Sequence, residues 1–164
     1  MKVPAVVAPL AGLLLLLGIA PGSTLAADWR ETAGDAEKLS NLVKLIPNTA
    51  IWMQQMGHRY GDLYFAAKQE KWDFAAYQAE EMEKLVRYVE VARPKRAATA
   101  QEFRAAVFPM LHEEIAKQDW AAFEKAFDTL SAECMSCHVK NDHGFVGLPN
   151  PPLRPHSPVL DAGS

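Results

Sequence analysis

Apolar residues recur at intervals of three and four in four long stretches of the chain between Thr49 and His138. This spacing puts the apolar side chains on one face of an α-helix and leaves the opposite face polar. The stretch after Asp119 has the clearest pattern, with apolar positions at Trp120, Phe123, Phe127, Leu130, Cys134 and Cys137. Because short connections separate the four stretches, we expect an all-α fold, an antiparallel up-down four-helix bundle.

Capping residues and prolines set the expected limits of these helices. We expect the first two over about 49–69 and 73–91. The third is expected to begin with a capping box, since Thr99 is followed three residues later by Glu102. Pro109 lies inside its apolar pattern and is expected to kink or split the helix, because proline lacks an amide hydrogen and crowds the preceding turn.

The chain opens with a segment typical of an export signal. Lys2 provides a basic start, five consecutive leucines lie in the apolar run, and small residues around Ala26 suit a signal peptidase. We therefore expect residues 1–26 to be a signal peptide and the mature protein to be periplasmic. An uncleaved N-terminal anchor is the alternative, since the apolar run is barely long enough to span a bilayer.

The remaining chain divides by composition into three parts. Residues 27–47 are expected to be an N-terminal extension with a short helix over 35–45, and residues 48–143 to form the helical domain. Residues 144–164 contain five prolines and are expected to be a flexible tail. The formal net charge is −3 at pH 7 and no basic stripe is present, which argues against nucleic acid as a partner.

Near the end of the last apolar stretch, Cys134-Met135-Ser136-Cys137-His138 matches the C-x-x-C-H pattern of covalent haem attachment. Each thiol can add to one vinyl group of a haem, and the adjacent imidazole can then bind the iron as its proximal ligand. The export signal agrees with this interpretation, because haem is joined to c-type cytochromes outside the cytoplasm. We therefore expect one haem c held by Cys134, Cys137 and His138.

A zinc site and a redox-active dithiol are the alternatives to haem attachment for the cysteine pair. A zinc site would need a second pair of ligands at metal-binding spacing, and the chain has only two cysteines. A thioredoxin-like dithiol belongs at a helix N-terminus, where the dipole lowers the thiol pKa, whereas this pair lies at the end of a helical pattern. Both alternatives are weaker than haem attachment.

The helical register also indicates where a second iron ligand would come from. In an up-down bundle the end of the last helix lies beside the start of the first, and Met53 is only roughly 6 Å along that first helix. Met53 is the first candidate for the distal ligand, Met56 is the second, and an open site is the alternative. We expect His58 to be exposed or hydrogen-bonded, and His143 and His156 to be exposed. Gly57 and Gly61 suggest close approach by a helix or a flat cofactor.

These features together resemble the class II c-type cytochromes, which include cytochrome c′ and its low-spin relatives. The resemblance covers about Thr49 to His138 and rests on the C-terminal attachment motif and on Met56-Gly57-His58-Arg59-Tyr60-Gly61, similar to the family's Met-Gly, aromatic, Gly pattern. It implies a first-helix methionine as sixth ligand in low-spin members, a position matched by Met53, and often a homodimer. The arginine that many members carry before this ligand is missing here.

We accordingly expect an exported monohaem cytochrome that carries single electrons between redox partner proteins in the periplasm. The alternative implied by the resemblance is five-coordinate iron that binds nitric oxide or carbon monoxide. An enzyme such as a peroxidase would need an acid-base residue over an open iron, and none is convincingly placed for that role. The sequence therefore favours a carrier over a catalyst.

Overall fold

The computed structural model describes residues 28–161, and within them it contains six α-helices and no strand. The prediction of an all-α fold is confirmed. The described residues divide between Lys44 and Leu45 into two compact units. The signal peptide predicted over residues 1–26 lies outside the described residues, and no helix within residues 28–161 is long and apolar enough to cross a membrane.

The first unit contains two helices among its described residues. The short helix α1 spans Trp29–Thr32, and Asp28 caps it by accepting a hydrogen bond from the backbone amide of Arg30 at 2.9 Å. The second helix, α2, spans Asp35–Leu45 and reaches the boundary of the second unit. The short helix predicted in the N-terminal extension is therefore confirmed.

Four long helices make up most of the second unit. They are α3 (Thr49–Lys68), α4 (Trp72–Ala92), α5 (Pro94–Lys117) and α6 (Trp120–Lys140). Asn48 caps α3 by accepting a hydrogen bond from the Ile51 amide at 3.0 Å, and Asp119 caps α6 through the Ala122 amide at 2.7 Å. These caps satisfy amides that have no partner within a helix.

The third of these helices differs from its prediction in two respects. It begins at Pro94 and not at Thr99, because proline fits the first turn of a helix, where its missing amide hydrogen has no partner to lose. Thr99 lies inside the helix, and its hydroxyl donates to the Arg96 carbonyl at 3.0 Å. Pro109 does not split α5. Because proline has no amide hydrogen, the carbonyl of Ala105, four residues earlier, loses its helical hydrogen bond. Both residues are exposed, so water can take the place of that bond.

The core lies between the apolar faces of these four helices. Along the chain each helix packs on the next, and α6 also packs on α3. Aromatic rings of α3 and α6 meet in this core, with the ring of Phe127 4.6 Å from Tyr60 and 5.0 Å from Tyr64 between centroids. The apolar stripe predicted for the last helix is buried from Phe123 to Cys134, so its register is confirmed.

The described residues after α6, up to residue 161, form no further helix, but residues 146–161, here called the strap, are packed against the helices. The hydroxyl of Tyr60 donates to the Pro149 carbonyl at 3.1 Å, and the side chain of Leu160 is only 6% exposed. The sequence led us to expect a flexible tail over residues 144–164. The structure instead ties its described part to α3 through polar contacts, which leave no periodic pattern in the sequence.

Candidate cofactor site

A cavity of about 680 Å³ lies where α3, α4, α5, α6 and the strap meet. This volume is within the range of about 300–1,000 Å³ that is typical of sites for small molecules and cofactors. Its lining includes all five side chains that the sequence singled out. They are Met53, Met56, Cys134, Cys137 and His138. The structure thus brings residues from the beginning of α3 and the end of α6 to one cavity.

The two cysteines reach the cavity because they continue the buried stripe of α6. Both thiols are free; Cys134 is 7% exposed and Cys137 is half-buried. Burial raises the pKa of the Cys134 thiol to about 12 and also raises the pKa of Cys137, against which hydrogen bonds with Thr99 and Asn141 act. A redox-active dithiol needs a lowered thiol pKa, so this environment does not suit one.

The imidazole of His138 has a defined hydrogen-bond partner. Its Nδ1 lies 2.9 Å from the carbonyl oxygen of Val146, in the strap. Because a carbonyl can only accept, Nδ1 is the donor of this bond, and in the neutral ring Nε2 keeps its lone pair. Metal-binding histidines commonly have this arrangement, in which one ring nitrogen donates to a carbonyl and the other binds the metal. The sequence motif gave no indication that Val146 plays this part.

The two candidate methionines differ in their surroundings. Met56 is 6% exposed and belongs to the hydrophobic core, whereas Met53 is half-buried and borders the cavity one turn nearer the start of α3. Neither Met82 nor Met110 lines the cavity. A flexible thioether at the border of an open space is better placed to bind a ligand than one packed in a core.

The two glycines of α3 face different neighbours. A Cβ atom at Gly57 would meet nothing within 4 Å, whereas one at Gly61 would lie 3.1 Å from the Arg154 carbonyl oxygen and 3.5 Å from the His156 ring. The close approach expected at Gly61 is therefore made by the strap and not by a helix. Gly57 faces open space at the cavity, where it leaves room for a flat group.

Three further histidines line the cavity, and of the two that we expected to be exposed, only His156 is. His143 is half-buried, and its Nδ1 lies 2.5 Å from the Asn141 carbonyl oxygen. The rings of His58 and His156 stack with their centroids 4.1 Å apart. His156 is exposed, but partial burial and the neighbouring His58 lower its pKa. Pairing of these two rings could not be read from their positions in the sequence.

Two arginines add positive charge to the cavity. Arg96, at the beginning of α5, and Arg154, in the strap, both line it, and within residues 28–161 neither guanidinium forms a salt bridge or a side-chain hydrogen bond. A cofactor with carboxylate groups would find partners here. Neither arginine was predicted to belong to the site.

Within the described part of the chain, no group of three or more histidine, cysteine, aspartate or glutamate side chains is arranged to hold a metal ion. The residues around the cavity fit a different requirement. A haem brings four nitrogen ligands of its own, so the protein has to supply only axial ligands and, for haem c, two thiols. The free Nε2 of His138, the two cysteines and the thioether of Met53 meet this requirement chemically.

A scan against protein-family models and searches of curated proteins and of solved structures give no match to this chain. The functional interpretation therefore depends on the motif, the cavity and the residues that line it.

Proposed function

We propose that this chain is an exported monohaem c-type cytochrome that carries single electrons, with haem c attached through Cys134 and Cys137 and with His138 as proximal ligand. The observation that supports the proposal most directly is the joint presence of these three residues and Met53 around one cavity of cofactor size. Haem would supply one-electron chemistry between ferric and ferrous iron. The periplasmic location is part of the proposal and depends on residues 1–26.

The attachment step follows from the chemistry of the thiols. Cys134 and Cys137 would each hold the haem through one thioether, because a thiol adds across a vinyl group without an oxidant. Cys134 is buried and Cys137 is half-buried in the wall of the cavity. Attachment would therefore hold the cofactor in the interior of the domain.

We also infer that α3 to α6 form an antiparallel up-down four-helix bundle with the haem at the C-terminal end of α6. Consecutive helices are joined by one to three residues, and such short connections favour antiparallel neighbours. The packing of α6 on α3 is consistent with the ring of contacts in a bundle of this kind. In this arrangement the beginning of α3 lies close to His138, as the lining of the cavity requires.

Met53 supports a carrier in preference to an open gas-binding site. A thioether opposite an imidazole favours low-spin iron with a raised reduction potential, which suits electron transfer. With Met53 as sixth ligand, the iron would have no vacant position for nitric oxide or carbon monoxide. Arg96 and Arg154 would bind the propionate groups of the haem.

The decisive experiment is to produce the full chain in a bacterium with c-type haem maturation and to look for covalent haem after denaturing electrophoresis and by mass spectrometry. We expect one haem in the native chain and none in the double variant Cys134→Ala/Cys137→Ala. Ser136→Ala, between the two cysteines, is the matched control and should keep its haem. A native chain without covalent haem would refute the proposal.

The optical spectrum then separates the carrier from its rival. The oxidised carrier should show a sulfur-to-iron charge-transfer band at neutral pH. A high-spin spectrum that changes when nitric oxide or carbon monoxide is added would instead indicate a five-coordinate gas-binding protein.

A further inference from the structure

We propose that the strap, residues 146–161, is a positioning element for the proximal histidine, in which the Val146 carbonyl fixes the ring of His138 and Asp62 on α3 fastens the strap. The inference rests on the proposed function, because it assigns a role to chain segments around the proposed iron ligand. It concerns a part of the chain beyond the attachment motif and beyond the four long helices.

The hydrogen-bond partner of His138 lies outside its own helix. The helix α6 ends at Lys140, and Val146 lies eight residues after His138. No residue of α6 therefore fixes the position of the Val146 carbonyl beside Nδ1 of His138. Two turn hydrogen bonds begin the return of the chain, from the His143 amide to the His138 carbonyl at 2.8 Å and from the Val146 amide to the His143 carbonyl at 2.9 Å.

The strap is also fastened to α3. Asp62 is 7% exposed, and its Oδ1 accepts hydrogen bonds from the backbone amides of His156 at 2.6 Å and Ser157 at 2.8 Å. A carboxylate buried inside a helical domain needs such partners, and charge-assisted hydrogen bonds are the stronger kind. No other described residue donates a hydrogen bond to the Asp62 side chain, so holding the strap accounts for its burial.

Further contacts hold the strap between Val146 and this anchor. The Pro149 carbonyl accepts the Tyr60 hydroxyl at 3.1 Å, and the Asn150 amide group donates to Asp128 on α6 at 2.8 Å. At Gly61 the Arg154 carbonyl comes so close that a Cβ atom would lie 3.1 Å from it. The strap is thus held at successive points, and loosening its far end should loosen Val146.

The consequence concerns the chemistry of the imidazole. A carbonyl partner at Nδ1 fixes the tautomer and the orientation of the ring, and it increases the basicity of the other nitrogen toward a metal. Without the strap, the Nδ1 proton would exchange with water and the ring would be free to turn. Asp62 would then affect the iron ligand without touching it.

The test measures the Nδ1 proton of His138 directly. Two-bond proton–nitrogen NMR correlations report the tautomer of the ring, and hydrogen exchange reports how often the bond to Val146 opens. In the reduced haem protein we expect a slowly exchanging Nδ1 proton. Asp62→Ala should accelerate exchange by at least about tenfold, since both amide contacts of the strap are lost.

Matched variants separate positioning from general destabilisation. Asp62→Asn keeps an acceptor oxygen and should give an intermediate rate, whereas Glu80→Ala, on the exposed face of α4, should leave the rate unchanged. If Asp62→Ala does not fold, Asn150→Ala removes only the contact with Asp128 and should still accelerate exchange. Unchanged exchange in both Asp62→Asn and Asn150→Ala would show that the local turn alone holds Val146, and the proposal would be wrong.

The same NMR measurement applies to the full chain without haem, because it reads the ring nitrogens and not the iron. A protected Nδ1 proton that depends on Asp62, in a native chain that takes up no haem, would refute the cytochrome and leave the strap's effect on the ring intact. Covalent haem together with an unprotected Nδ1 proton in the native chain would support the cytochrome and refute the role of the strap. Failure of one proposal is therefore distinguishable from failure of the other.

Discussion

Replacement of Met53 by alanine tests the assignment of the sixth ligand, and Met56→Ala is its matched control one turn further along α3. Both variants remove the same thioether, but the two side chains have different surroundings. Met56 is 6% exposed within the core, whereas Met53 is half-buried at the border of the cavity. We therefore expect Met56→Ala to cost more unfolding free energy than Met53→Ala, and only Met53→Ala to change the spectrum.

The expected magnitudes follow from burial. Truncation of a fully buried methionine costs about 2–5 kcal/mol of unfolding free energy, so we expect a loss in this range for Met56→Ala. Burial of a whole methionine side chain contributes about 1.5–3 kcal/mol, so the half-buried Met53 should lose only about 1 kcal/mol from packing. The charge-transfer band should disappear in Met53→Ala and persist in Met56→Ala.

Two measurements decide the outcome: near-infrared absorption of the oxidised protein and chemical denaturation of each variant. Persistence of the band in Met53→Ala would show that Met53 is not a ligand. Loss of the band in Met56→Ala alone would move the ligand by three residues, about 4.5 Å along the helix. Either result would refute the argument from distance along α3.

Three further predictions follow from individual contacts. Gly57→Ala should stabilise the haem-free chain by up to about 1 kcal/mol in denaturation while reducing haem incorporation, whereas Gly61→Ala should give no such gain, because its Cβ would press on the strap. Burial and the neighbouring His58 lower the pKa of His156, so folding favours its neutral ring. The contribution of this ring to the free energy of unfolding is therefore complete above the ordinary pKa of 6.5 and decreases as the pH drops below it. Amide exchange in the strap should accelerate accordingly, and His156→Gln should weaken that pH dependence; an unchanged dependence would contradict the assignment. Phe127→Ala should cost about 3–5 kcal/mol by denaturation, since Phe127 is 1% exposed and its ring meets other aromatic rings, and a loss below 1 kcal/mol would contradict this.

The helices were predictable where local signals agree with one another. The apolar stripe of α6 and the short helix over 35–45 each depend on neighbouring residues along the chain, and the structure confirms them. The predicted start of α5 was wrong because two local signals lie close together. The helix begins at Pro94, which fits the first turn, and not at the capping box of Thr99. Local signals therefore define helices well until two of them overlap.

The meeting of the end of α6 with the beginning of α3 at one cavity was predictable, because both lie on helical faces whose register follows from the sequence. The contact of the Val146 carbonyl with His138 and that of Asp62 with the strap were not predictable, since neither depends on periodicity. The hydrogen bond between Tyr60 and Pro149 joins residues 89 positions apart, and that between Asp62 and His156 joins residues 94 positions apart. Polar contacts to a backbone without helix or strand can be made by many sequences, so they become visible only in three dimensions.

Tyr60 connects these two kinds of information, because its ring packs in the core while its hydroxyl holds the strap. Burial raises the pKa of Tyr60 to about 12, so the hydroxyl remains a donor throughout the neutral range. Tyr60→Phe should keep the ring contact with Phe127 and lose the hydrogen bond to Pro149, at a cost of about 1 kcal/mol in unfolding free energy. We expect faster exchange of the His138 Nδ1 proton with an unchanged charge-transfer band. A change in the band without faster exchange would mean that the hydroxyl acts on the cofactor and not through the strap.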